Sequence, residues 1–179
     1  MNLFYLDIRP DKCAQLHCDK HVVKMIIEYA QLMSTAHRLI DGTQYQGKTK
    51  LGRNIKRWKH PNSNMEGVLY KASHINHPTA IWTRQKKGNY EFLYKLFCSL
   101  CDEYTHRYGK VHMTDTKLRD LLSEPPANIA EGTFSAPPPA MPDDCKQPNV
   151  LKSYHKYYRV YKKDFAKWTN RPVPNFMSA

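Results

Sequence analysis

Six polar residues between Lys12 and Arg38 are spaced to share one face of a helix. At 100° per residue, His17, His21, Lys24, Glu28, Gln31 and Thr35 fall within about 40° of a common direction. The positions around them are apolar: Val22, Val23, Met25, Ile26, Ile27, Ala30, Leu32, Met33 and Ala36. A surface helix ordinarily carries one apolar stripe and a broad polar face. Here the proportions are reversed, which predicts a mostly buried helix whose polar stripe looks into a cleft. Polar groups so placed cost about 1–3 kcal/mol each when unpaired. Two imidazoles, an amine and a carboxylate, groups that move protons, attack electrophiles or hold anions, are best explained there as a site. Lys24 and Glu28 also have the plainer reading of an i,i+4 ion pair.

The same histidines admit a metal reading, with His17 and His21 at i,i+4 supplying two nitrogens to zinc or iron. Helical rise puts Glu28 about 10.5 Å along the axis from His21, too far for one small ion to bridge. A third ligand would have to come from elsewhere, such as His74, His77 or Asp7. The spacing better suits contacts to successive parts of an extended substrate, and no metal or cofactor is expected. Cys98-x-x-Cys101 lies inside the helical pattern NYEFLYKLFCSLCDEY, where both thiols are expected to pack as small buried hydrophobes. No Gly-rich phosphate loop and no G-x-S-x-G elbow is present.

The elements that must position the stripe follow from the rest of the pattern. NLFYLDIRP is an apolar run closed by Pro10, and Asp11 can cap the first helix, which ends near Asp41-Gly42. Residues 42–76 read as a long basic loop, with a short helix over 66–73. His77-Pro78 opens a further helix carrying Ile81, Trp82 and Arg84, and Asn89 starts a second long one that Tyr108-Gly109 ends. A short helix follows over 116–123. Seven prolines in 125–149 predict an extended segment laid over the surface. Val150 to Trp168 is helical again, with Tyr154, Tyr157, Tyr158, Tyr161, Phe165 and Trp168 as an aromatic stripe. The expected fold is an all-α, compact single-domain helical bundle over 1–179 with little or no sheet.

The net charge is +12, and its placement is uneven. Residues 42–90 hold ten Lys/Arg against Glu66 alone, and residues 146–171 hold eight against Asp164 alone, so the remainder is slightly acidic. Two basic segments on an ordinary body suggest a bipartite surface for a polyanion, nucleic acid being the commonest. Neither segment pairs its charge with a strong aliphatic face, and no apolar run approaches a membrane span. The start MNLFYLDIRP lacks the features of a signal peptide. A monomeric, intracellular protein is expected. In YHKYYRVYKK rings alternate with cations, an arrangement that serves either core packing or stacking on unpaired bases.

With these residues assembled, the chain resembles the phage endonuclease V type of pyrimidine-dimer DNA glycosylase and AP lyase. His21 and Glu28, seven apart within CDKHVVKMIIEYAQL, match that family's early histidine and catalytic glutamate. A second shared stretch starts at His77 and runs into NYEFLYKLFCSLCDEYTHRYG, and SYHKYYR resembles the aromatic-basic ending of the family. The resemblance touches about 60 residues in family order. It implies a small basic all-α enzyme, phage-encoded and acting in the host cytoplasm. Its amine nucleophile attacks C1′ of the damaged nucleotide, forms a Schiff base and cuts the strand by β-elimination. The family uses the α-amine of a small N-terminal residue, whereas residue 2 here is Asn2. The candidate amines become Met1 and Lys24.

On this reading Glu28 stabilises the cationic sugar and moves protons, while His21 and His17 position sugar or phosphate. Arg53, Lys56, Arg57, Lys59, His77, Arg84 and Lys163 hold the DNA backbone, with Tyr157, Tyr158 and Arg159 near the extruded nucleotide. Two alternatives stand beside it. One is a non-catalytic binder of nucleic acid or of an anionic nucleotide, a phage accessory protein. The other is a metal-dependent hydrolase built on His17 and His21.

Overall fold

Apolar spacing at i, i+3, i+4 and i+7 recurs along two 22-residue stretches, and each forms a helix whose buried stripe faces the other. In a computed structural model describing residues 2–178, these are α2 (Asp19–Ile40) and α5 (Lys87–Tyr108). Met25, Ile26, Tyr29, Leu32, Met33 and Ala36 of α2 are buried, as are Tyr90, Leu93, Leu96, Phe97, Leu100 and Cys101 of α5. α1 (Pro10–Leu16) packs on α5, α4 (Pro78–Gln85) on both long helices, and α6 (Met113–Leu118) on α2. α3 (Ser63–Val68) is short and has no buried residue. α7 (Val150–Tyr161) buries Ser153, Tyr154 and Tyr158. All five cysteines are free thiols.

Local signals account for several ends. Asn62 and Asn149 cap α3 and α7 with their side chains, and His77 and His112 do the same for α4 and α6 through imidazole nitrogens. Gly109 closes α5 at φ 66°, a left-handed position where a Cβ is strained.

The architecture is mostly α, as the periodicity predicts, but α7 stops at Tyr161 and not at Trp168, the short helix lies at 63–68 and not at 66–73, and two larger expectations need correction. First, the stretch from Lys12 to Arg38 is not one helix. His17 is extended (φ −64°, ψ 134°), and the chain restarts at Asp19. The break is set by tertiary contacts: Asp19 N–H donates to Lys167 O at 2.8 Å, and the Asp19 carboxylate receives Thr169 and Arg107. Second, the basic loop is partly a hairpin. β1 (Thr43–Lys48) pairs antiparallel with β2 (Asn54–Lys59), Tyr45 opposite Arg57, turning through Gly52 at φ 75°. Apart from a 3-10 turn at Asp143–Cys145, the 125–149 stretch is irregular and is laid against α5, α4 and α7. Ala130 and Gly132 carbonyls accept from Lys87 and Gly88, Ser135 bonds Asn89 and Trp82, and Pro138 O accepts from Tyr154.

Residues Leu3–Leu6 are buried and extended with no strand beside them. Buried backbone groups require partners, and side chains supply these. Phe4 N–H donates to Tyr29 Oη at 3.3 Å, and Tyr29 donates in turn to His17 Nε2 at 2.8 Å. His17 Nδ1–H completes the line to Cys13 O at 2.7 Å. Cys13, held as a thiol by burial with its pKa pushed up to about 12, donates to Phe4 O and accepts from Leu6 N–H. His155 Nε2 reaches Leu6 O at 2.8 Å. Above this line Phe4 stacks on His21 at 4.1 Å, and His21 Nδ1 meets Tyr158 Oη at 2.5 Å.

A buried ion cluster ties the other side. The Arg107 side chain is fully buried and pairs with Glu103 at 2.7 Å and Asp19 at 2.8 Å, while Arg171 forks onto the same Glu103. Arg107→Ala leaves Glu103 with only the half-exposed Arg171, and should lower stability by about 3–5 kcal/mol in urea unfolding. A loss below about 1 kcal/mol would show that the cluster does not hold these elements together.

Burial lowers the pKa of His17 to about 4 and of His21 to about 3, so both are neutral in the fold. An unfolded histidine titrates near ~6.5. The unfolded chain therefore binds more protons below that pH. Stability should be full above pH ~6.5 and fall toward pH ~4, by about 1.4 kcal/mol per pH unit for each histidine. Urea midpoints that stay level from pH ~7 to ~4.5 would contradict this.

Candidate active site and nucleic-acid surface

Glu28 sits halfway along α2 with its side chain 15 % exposed, and its two oxygens serve different partners. Oε1 lies 3.2 Å from Lys24 Nζ, the ion pair that i,i+4 spacing allows. Oε2 accepts the backbone N–H of Asn2 at 3.1 Å. The buried segment brings the chain start to this carboxylate, and Asn2 is fastened there by its side chain. Its Nδ2 donates to Ala140 O at 2.8 Å, and its Oδ1 accepts from Leu3 N–H at 2.8 Å. Met1 lies outside the described residues.

His77 caps α4 by accepting Thr79 N–H at 3.2 Å. Burial lowers its pKa, and Glu28 is near enough to oppose that shift. Gln31 is half-buried, while Thr35 is buried and accepts Ser73 N–H. The stripe therefore divides. Lys24, Glu28 and Gln31 reach the surface, whereas His21 and Thr35 are drawn into the core. The helix break takes His17 off the stripe altogether: it is fully buried and both ring nitrogens are engaged. His17 and His21 support the chain start from beneath.

The rim is aromatic and cationic. Lys20 Nζ lies 4.7 Å over the Phe165 ring and Lys162 Nζ 4.5 Å over Tyr157, which stacks on Phe4. Val23 and Ile27 are exposed beside Lys24. Tyr157 is half-buried, Lys163 is exposed, and Arg159 donates to Phe176 O at 3.3 Å. Tyr158 is fully buried beneath Phe4, with no surface for a nucleotide; it contributes by holding His21.

On the hairpin Arg53, Lys56 and Lys59 are exposed. Arg57 is half-buried beside a cavity of about 360 Å³ that it shares with Tyr45, Lys48 and Lys71. Arg84 has a buried Nη1 without a hydrogen-bond partner, and burial lowers its pKa. It faces a shallow hollow with Trp58 and Ile81. The hairpin follows the C-terminal end of α2, and α7 meets its N-terminal end through His21. Twenty residues separate His21 from Asp41, about 30 Å of rise. The two basic segments thus lie toward opposite ends of α2, with Glu28 between them.

Asn2 and Tyr29 were not legible as site residues, because nothing local in the sequence marks them. A metal ligand set at His17 and His21 does not form among the described residues; the group able to hold an ion there is His37, Asp41 and His60. No helix among the described residues is long and apolar enough to cross a membrane.

Neither curated proteins nor solved structures provide a match to this chain. Residues 1–117, which hold Glu28, Lys24, the hairpin and His77, match the family described as pyrimidine dimer DNA glycosylase, and the chain belongs to that family.

Proposed function

We propose that this chain excises a damaged base from DNA and cuts the abasic strand through an amine held at Glu28. The observation that carries the reading is the 3.1 Å contact between Glu28 Oε2 and Asn2 N–H, with Lys24 Nζ on the other oxygen. One carboxylate gathers the Asn2 backbone and a lysine on the helix that runs between two basic segments.

In this reading the amine nitrogen bonds to C1′ as the glycosidic C1′–N bond breaks. The base leaves with that electron pair and is protonated from solvent. Opening of the sugar ring gives a protonated imine, and Glu28 stabilises its positive charge. Loss of a C2′ proton, with Glu28 as acceptor, expels the 3′ phosphate. The α-amine of the chain is the favoured nucleophile because the backbone is pinned beside Glu28, and Lys24 is the competing one. Lys56, Lys59, Arg53 and Lys163 hold phosphates. Tyr157, with Lys162 above it, offers a ring for an extruded nucleotide.

Borohydride trapping on thymine-dimer and abasic duplexes tests the chemistry. Wild type should give a covalent adduct. Glu28→Gln should lower strand cutting at least about 100-fold while duplex affinity changes less than about threefold. Lys24→Ala should keep the adduct, whereas residues added ahead of Met1 should abolish it. The reverse result assigns the lysine. No adduct on either duplex, with tight binding intact, returns the assignment to a non-catalytic DNA binder.

Salt dependence tests the surface. Replacing Lys56 and Lys59 together with alanine should reduce the slope of log affinity against log salt by about 1.8, while single-turnover cutting of bound substrate stays unchanged. An unchanged slope would remove the hairpin from the interface.

A further inference from the structure

At the other end of α2, about 14 Å along the axis from Glu28, a separate polar group opens onto a cavity of about 530 Å³. His37 lies in the last turn of α2, Asp41 follows its end, and His60 follows β2. One ligand atom from each lies within 4.8 Å of the other two. His37 and His60 are 3 % and 5 % exposed, and His37 Nδ1 and His60 Nε2 are buried without a hydrogen-bond partner. Buried polar atoms are nearly always paired, so two unpaired nitrogens facing one carboxylate call for an occupant.

The surrounding bonds show how the group is prepared. Tyr90 donates its hydroxyl proton to Leu122 O at 3.0 Å, so its oxygen accepts from His37 Nε2 at 2.9 Å. With both Tyr90 bonds made, the His37 proton sits on Nε2 and a lone pair on Nδ1, as in metal-bound histidines; the Glu124 backbone carbonyl also faces this ring and favours its protonated form, so an ion competes with it. Asp41 is fixed by Ala127 N–H at 2.7 Å on one oxygen, and by Asn128 N–H at 3.0 Å and its Nδ2 at 2.9 Å on the other. Oδ2, with a single donor, keeps a further lone pair. The cavity is also lined by Asp120 and Glu124 and by no lysine or arginine. On a chain of net charge +12, an acid-lined cavity selects a cation over a phosphate.

We infer that His37 Nδ1, His60 Nε2 and an Asp41 oxygen bind a divalent transition metal of the zinc class, with water completing the shell. Two imidazoles and one carboxylate suit zinc, cobalt or iron(II) and not the oxygen-seeking calcium or magnesium. Metal–ligand bonds of about 2.1 Å bring ligand atoms to about 3.4 Å apart, so the three side chains close inward. His60 Nδ1 accepts Asn62 N–H at 3.2 Å, which places its proton on Nε2. Coordination shifts that proton to Nδ1 at the expense of the Asn62 N–H bond, with no net proton released. The ion ties the end of α2, the base of the hairpin and residues 127–128 into one unit, fixing the angle at which the basic hairpin leaves the helix.

The test uses full-length protein freed of metal by chelation and titrated with Co²⁺ or Zn²⁺ alone. One Co²⁺ should bind per chain with visible ligand-field bands, Zn²⁺ should displace it, and the melting temperature should rise. His60→Gln and His37→Gln, with folding checked by circular dichroism, should each weaken binding at least about 30-fold. His106→Gln, at an exposed histidine of α5, should leave binding unchanged. No saturable binding by wild type up to ~100 µM metal, or binding that His60→Gln retains in full, overturns the site. These readouts involve no DNA, so their failure leaves the Glu28 reading untouched.

Discussion

A buried extended segment without a neighbouring strand is the constraint from which the rest of the molecule follows. Leu3–Leu6 carry apolar side chains that belong in the core, yet their backbone amides and carbonyls must be bonded there. No sheet supplies those bonds, so Tyr29, Cys13 and His155 do so from three different helices. His17 fixes the direction of the Tyr29 hydroxyl by accepting its hydrogen bond, which requires the imidazole to be neutral. A leucine at 29 would fill the volume but take away the partner of Phe4 N–H, and a leucine at 17 would leave the buried Tyr29 hydroxyl proton without its acceptor. Polar residues in this core thus specify where the chain start lies, and hydrophobic burial alone would not.

That placement has a chemical consequence. With Phe4 fixed between His21 and Tyr158, Asn2 has little freedom, and its amide meets Glu28. Reactive groups set on rigid elements and locked from beneath are what a precise site needs. The two histidines of the stripe belong to that locking layer. Their low pKa values arise from burial and would suit them poorly to carry charge at neutral pH.

How much of this was written in the sequence differs by element. The long helices were legible because their apolar periodicity runs over five turns or more, and His77-Pro78 and Gly109 mark boundaries by local chemistry. The break at His17–Cys18 was not, since it is set by Asp19 reaching residues 107, 167 and 169. The hairpin escaped because both its faces are largely exposed: Thr43–Gln46 are all exposed, so no alternation of apolar and polar residues marks the strands. Glu28 and Lys24 were legible by spacing, and the partner on the second carboxylate oxygen was not. That partner depends on 26 residues of intervening chain. Tyr158 illustrates the opposite error, for an aromatic-basic run does not say which rings face inward.

The hairpin then poses a mechanical problem that the fold answers. A two-stranded ribbon with few buried residues has little stability of its own, yet it carries much of the positive charge. Arg38, 5 % exposed, solves this by sending its fork from α2 into the ribbon's base. It donates to Trp58 O at 2.9 Å, Leu69 O at 2.9 Å and Tyr70 O at 2.8 Å, and it pairs with Glu66 at 2.6 Å. Glu66 in turn accepts His60 N–H at 2.7 Å. The same helix therefore bears the carboxylate at Glu28 and, ten residues on, the clamp on the basic ribbon. Because rise per residue in a packed helix is fixed, the distance from the Arg38 clamp to the Glu28 carboxylate is fixed as well, at about 15 Å along the axis. A flexible basic loop would carry the same charge but would not hold it at a set distance from Glu28.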